Sequence, residues 1–144
     1  MKNNNRRIWI ARLLIGWVFA TNIQCAILFI LFPGRYLFGF ELTGIGGNGA
    51  IQGFGILFLM WNVPYSVALI QPNKNRLSLL EAVVMQAIGF VGETLLLIFL
   101  PQGHLFMAGT VIRFIVFDGS GLVLLLLSAW ISRGEVKLNN SILT

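Results

Sequence analysis

Charged side chains are scarce in this chain: Asp, Glu, Lys and Arg make up 10% of its 144 residues, against about 25% in an ordinary soluble domain. So few cannot cover the surface of a water-soluble fold, which excludes the soluble classes. Cysteine occurs once, as Cys25, so an intramolecular disulfide and a thiolate metal cluster are ruled out. A small buried apolar role is expected for it. The single histidine, His104, has no second nitrogen or sulfur ligand at a useful spacing, so no metal or haem signature exists within one chain. There is also no Walker sequence and no serine in a nucleophile-elbow setting.

What is present is apolar. Hydrophobic residues make up 57% of the chain and the mean hydropathy is +0.84. Four long runs stand out, at residues 8–32, 50–71, 79–100 and 108–132. At a rise of about 1.5 Å per residue each is long enough to cross a hydrocarbon core of about 30 Å. The expectation is an all-α integral membrane protein: a single domain, a four-transmembrane-helix bundle with short loops. The MKNNNRR start before an apolar run resembles a signal peptide, but the run is too long and no A-x-A-like site follows, so a retained helix is expected.

Orientation follows from the basic residues. Lys2, Arg6 and Arg7 precede the first run, Lys74 and Arg76 lie between the second and third, and Arg133 and Lys137 follow the last. Arg35 alone occupies the connections on the opposite side. The positive-inside tendency then places both termini in the cytoplasm, as in a bacterial inner-membrane protein. The net charge of +5 is accounted for by this asymmetry and by attraction to anionic lipids, so no nucleic-acid partner is needed.

One motif points elsewhere. GIGGNG, residues 44–49, matches the G-x-G-x-x-G spacing of dinucleotide-binding loops. That fingerprint requires a preceding strand and an acidic residue about 20 positions later to hold the ribose. Here an apolar helix precedes it and the next acidic residue is Glu81, far too late. The stretch is expected to be a flexible loop leading into the second helix, with Gly49 and Gly53 as a small pair for close helix approach. The preceding PGRYLFGFEL is expected to be either a short interfacial amphipathic segment or an ordered loop with an aromatic belt.

Polar residues inside the runs carry the functional information, because each is costly there without a partner. Arg12, near a helix end, can snorkel. Ser78 and Glu81 have the spacing of a capping box that starts the third helix. Glu93 lies about 10 Å below the end of the third run and Arg113 about 8 Å below that of the fourth, so an interhelical ion pair is expected between them. Asp118, near the middle of the fourth run and about 140° around the helix from Arg113, needs another partner or a proton. It stands beside Gly119, Ser120 and Gly121, which would let a helix or ligand approach.

The second run supplies candidates for that partner. Gln52, Gly55, Leu59, Asn62 and Ser66 recur at helical spacing. Pro64 interrupts the backbone ladder and frees the carbonyl of Met60, so Trp61, Asn62 and Tyr65 could line a cavity. With Gln86 and Glu93 on one face of the third helix, these residues outline a polar pocket among helices two, three and four.

As a whole the chain resembles the small bacterial four-helix membrane proteins called DoxX-like. The opening helix RLLIGWVFA, the glycine-bearing entry to the second helix and the two shorter helices with short connections carry the resemblance. Gln52 stands nearest to where that group has a glutamate, so the redox-associated role that the resemblance would imply lacks its residue.

The leading expectation is non-enzymatic: a subunit of a larger membrane complex, or a protein that binds a lipid-like or hydrophobic ligand in the polar pocket. The alternatives are a proton- or ion-coupled transporter acting as a homo-oligomer, with Asp118 and Glu93 titrating, and an acid/base enzyme acting on a lipid through the same two carboxyls.

Overall fold

The apolar runs form four helices, α1 (Lys2–Leu31), α2 (Gly44–Ile70), α3 (Arg76–Phe99) and α4 (Leu105–Asn140), with a short 3-10 turn at Pro33–Arg35. The structure is a computed structural model that describes residues 2–140, and side chains over 5–132. The side chains of Lys2, Arg133 and Lys137, used above for orientation, lie outside the described residues. All four helices are long and apolar enough to cross a membrane, the shortest having 24 residues.

Each helix packs against its two neighbours in the order α1, α2, α3, α4 and back to α1. Chain direction alternates: Ser128 Oγ of α4 donates to the carbonyl of Ala11 in α1 at 3.2 Å, while Phe114, earlier in α4, meets Phe29, later in α1, at 6.2 Å between ring centres. One end of the bundle therefore carries residues 5–15 with the α2–α3 connection, and the other carries the loop 32–43 with the α3–α4 turn.

Burial is inverted relative to a water-soluble protein. Asn22, Asn62, Gln86, Ser128 and Ser132 are buried, while Trp17, Ile88, Ile98, Val116 and Trp130 face outward. Such a pattern suits apolar surroundings, where only internal polar groups need partners. The interior has three tiers. Near the termini Ile15, Val18, Ala68, Leu79, Ala82 and Leu125 form an aliphatic core. At mid-depth lie the polar side chains, and at the loop end Phe29 gathers Tyr36, Phe40, Phe58 and Phe114.

Glycine spacing had suggested a loop at residues 44–49, and here the structure differs: the stretch forms the first turns of α2. Gly44 alone needs the left-handed backbone (φ 66°) that starts the helix. Gly47 is buried where a Cβ would collide with Leu37 and Leu42. The close α1–α2 approach is made by Gly55 rather than by Gly49 and Gly53. A Cβ on Gly55 would lie 2.8 Å from the carbonyl oxygen of Ala26, whereas Gly49 and Gly53 face open space.

The capping box does not form. α3 begins two residues before Ser78, with Asn75 at its N-cap, so Ser78 is already inside the first turn and Glu81 is exposed. Asn75 instead donates from Nδ2 to the carbonyl of Val67 at 2.8 Å, which ties α3 to the end of α2. Pro64 lies inside an uninterrupted α2. Arg12 rests its guanidinium on Trp9, 4.7 Å from the ring centre.

The segment 32–43 is an ordered loop. Thr110 Oγ1 donates to the carbonyl of Gly39 at 2.7 Å. Glu41 accepts from His104 Nδ1 at 2.5 Å and from the backbone N–H of Met107 at 3.2 Å. The carboxylate thus sits at the positive N-terminal end of α4, where the free N–H groups favour an anion.

Candidate functional site

A hydrogen-bonded chain at mid-depth takes one side chain from each of α2, α3 and α4. The Tyr65 hydroxyl of α2 donates to Gln86 Oε1 of α3 at 2.6 Å, with the carbonyl of Ala82 at 3.2 Å. Gln86 Nε2 donates to Asp118 Oδ1 of α4 at 2.8 Å. Asn22 of α1 is buried beside these groups, in the lining of the same small cavity as Tyr65, Gln86 and Asp118. Buried polar groups left without partners cost about 1–3 kcal/mol each, so this chain fixes the rotation of α2, α3 and α4 against one another.

Two glycines make room for it. The Asp118 carboxylate occupies the place that a Cβ on Gly89 would take, and Gln86 Nε2 comes within 2.6 Å of the Cβ position of Gly121. A longer residue at either site would push the chain apart.

Around these groups lies a cavity of about 20 Å³, lined by Asn22, Trp61, Asn62, Tyr65, Gln86 and Asp118 among others. The sequence-derived pocket therefore exists as a place, but it holds no lipid, because about 10–15 Å³ is the room of one water molecule. Asn62 donates from Nδ2 to the carbonyl of Phe58 at 2.6 Å, and its Oδ1 has no partner.

Larger space opens one helical turn away. A cavity of about 190 Å³ is walled by Phe54, Phe58, Trp61, Val111 and Phe114, and Glu93 is the only charged residue in its lining. Glu93 Oε2 is buried there without a hydrogen-bond partner. Phe58 and Trp61 line both cavities and form the partition between them. The exposed Leu57, Trp61 and Leu96 form its mouth between α2 and α3.

The expected Glu93–Arg113 ion pair is absent: among the described residues the one ion pair is His104–Glu41. The two side chains face different cavities. Glu93 faces the side of α4 that carries Met107, Val111 and Phe114, whereas Arg113 lines a separate cavity with Phe38, Gly109 and Thr110. Gln52 also lies apart, donating to the carbonyl of Ile30 at 3.2 Å. The expected α2 stripe is shifted: Leu59 and Gln52 are exposed, and the buried face runs through Gly47, Ile51, Gly55, Asn62 and Tyr65.

Asn22 was missed as a site residue. Its signal was an amide in the middle of an apolar run, between Thr21 and Gln24 and at a depth level with Tyr65 and Asp118. No group of three or more His, Cys, Asp or Glu among the described residues is arranged to hold a metal ion. No protein-family model, curated protein or solved structure matches the chain, so the functional reading rests on this geometry.

Proposed function

We propose that the protein is an integral component of a bacterial cytoplasmic membrane, with both termini inside, that binds a hydrophobic ligand carrying a hydrogen-bond donor. One observation carries the reading: the unpartnered Glu93 oxygen in a cavity whose other lining is almost entirely apolar. A buried acceptor with no donor costs about 1–3 kcal/mol, and a ligand hydroxyl would recover that cost on binding. The mouth between α2 and α3 opens sideways, so an apolar chain enters from the bilayer with its tail remaining in the gap. The volume of about 190 Å³ suits a compact polar head and the first part of such a chain, being smaller than the roughly 300–1,000 Å³ of pockets that enclose whole ligands.

The Tyr65–Gln86–Asp118 chain acts beneath this cavity as a rigid floor. It holds Trp61 and Phe58 in place and keeps the helices in register.

Trp61 provides the test, because it lines the cavity. Brominated dodecanol, an apolar chain with one hydroxyl, is expected to quench Trp61 fluorescence saturably, with the signal lost in Trp61→Phe. Glu93→Leu is expected to weaken binding about tenfold or more, the worth of a hydrogen bond to a carboxylate. Brominated dodecane, lacking the hydroxyl, should bind wild type no better than Glu93→Leu binds the alcohol. Equal affinity of both probes for wild type and variant would overturn the reading.

A further inference from the structure

A second large cavity lies at the loop end, between α1, the loop 32–43 and α4, with a volume of about 560 Å³. Phe29, Tyr36, Phe38 and Phe114 give it aromatic walls, and Arg35 and Arg113 are its charged groups. Neither arginine has a carboxylate partner, since the one ion pair among the described residues is His104–Glu41. Both side chains are exposed. Arg35 lies against Phe32, 4.6 Å from the ring centre, just beyond the end of α1.

Arg113 lies deeper, eight positions after Leu105 where α4 begins, or about 12 Å along the axis. A guanidinium at that depth in an apolar span is costly unless an anion or water reaches it. The glutamate that sequence spacing offered as its partner faces another cavity. Next to Arg113 on the outward side of α4, Ile112 and Val116 are exposed and apolar.

We propose that this cavity binds the anionic headgroup of a membrane phospholipid, with phosphate oxygens held by Arg113 and Arg35 and an acyl chain lying along Ile112 and Val116. The planar guanidinium fork matches phosphate oxygens in pairs, and the aromatic walls shield the contact from water. Two cations at staggered depths suit a headgroup drawn below the interface. The proposal rests on the membrane placement proposed above but not on Glu93, so its failure and that of the ligand reading are separable.

The test uses the full chain, delipidated in nonionic detergent and titrated with phosphatidylglycerol or with phosphatidylcholine of the same acyl chains. Bound lipid is counted by native mass spectrometry. One phosphatidylglycerol is expected to bind about tenfold or more tightly than phosphatidylcholine, a preference of about 1.4 kcal/mol. The Arg35→Gln, Arg113→Gln double variant should lose that preference, Arg113→Lys should keep part of it, and Glu93→Leu should leave it intact, with helicity checked by circular dichroism. Equal binding of the two lipids, or a preference that survives in the folded double variant, would overturn the proposal. So would displacement of phosphatidylglycerol by millimolar inorganic phosphate alone, because the site would then serve a free oxyanion. If the double variant does not fold, Arg113→Lys decides: an undiminished preference there removes the paired guanidinium contact from the account.

Discussion

Gly89 and Gly92 stand three positions apart on α3, yet their surroundings oppose each other. A Cβ on Gly89 would collide with the Asp118 carboxylate, while one on Gly92 meets nothing within 4 Å. Gly89→Ala should therefore destabilise the fold by about 1–3 kcal/mol, the usual cost of overpacking a filled site. Gly92→Ala should be neutral or slightly stabilising, because alanine is the better helix former by up to about 1 kcal/mol. Thermal unfolding of both variants in detergent checks the pair, and equal effects would show that Asp118 does not pack on α3. The same scale shows what the sequence concealed. Helical rise offered Glu93 and Arg113 as partners, but their facing depended on the rotation of α3 against α4, which only packing decides. Asp118 and Gln86 were legible as costly polar groups in apolar runs; that they would find each other was not.

At the scale of elements, the four helices were legible because length and hydropathy decide them without any packing detail. The start of α2 was not, since glycines that usually mark a loop are here accommodated by one left-handed residue, Gly44, and by the contact of Gly47 with Leu37 and Leu42. The strap from the loop to α4 was equally hidden, because Glu41 and His104 are 63 residues apart. The hydrogen bond from His104, then that from the Met107 N–H, holds the Glu41 carboxyl below the ordinary glutamate range. A depressed native value means that the ionised form stabilises the fold above the unfolded pKa. That contribution is lost as the pH falls through the native value. Wild type should therefore melt above Glu41→Gln at neutral pH, with a gap that holds down to about pH 5 and closes on further acidification. Melting curves of the two proteins across pH check this. A gap that widens in acid would contradict the strap.

For the whole molecule, the three tiers divide the work. The aliphatic tier near the termini holds the helices together, the hydrogen-bonded chain Tyr65–Gln86–Asp118 fixes the rotation of α2, α3 and α4, and the aromatic tier leaves space. That space is where Glu93 and Arg113 lie, each in its own cavity and each without an ion-pair partner among the described residues. Both were singled out by their depth in apolar runs, on the assumption that they neutralise each other. Their separation instead leaves each facing a cavity of its own, which the proposed ligand and the proposed headgroup would fill. The α2–α3 mouth also explains why the interior does not close: Leu57, Trp61 and Leu96 remain exposed at the gap.

The central claim is that the bundle carries a hydrophobic ligand against Glu93. Native mass spectrometry of the protein taken from its own membrane in mild detergent, with Glu93→Leu prepared in parallel, tests it most directly. The account predicts a retained hydroxyl- or amine-bearing hydrophobic molecule on wild type that is lost from the folded variant. A wild-type protein that is empty, or one found only within a large assembly and carrying the same small molecules as Glu93→Leu, would contradict it.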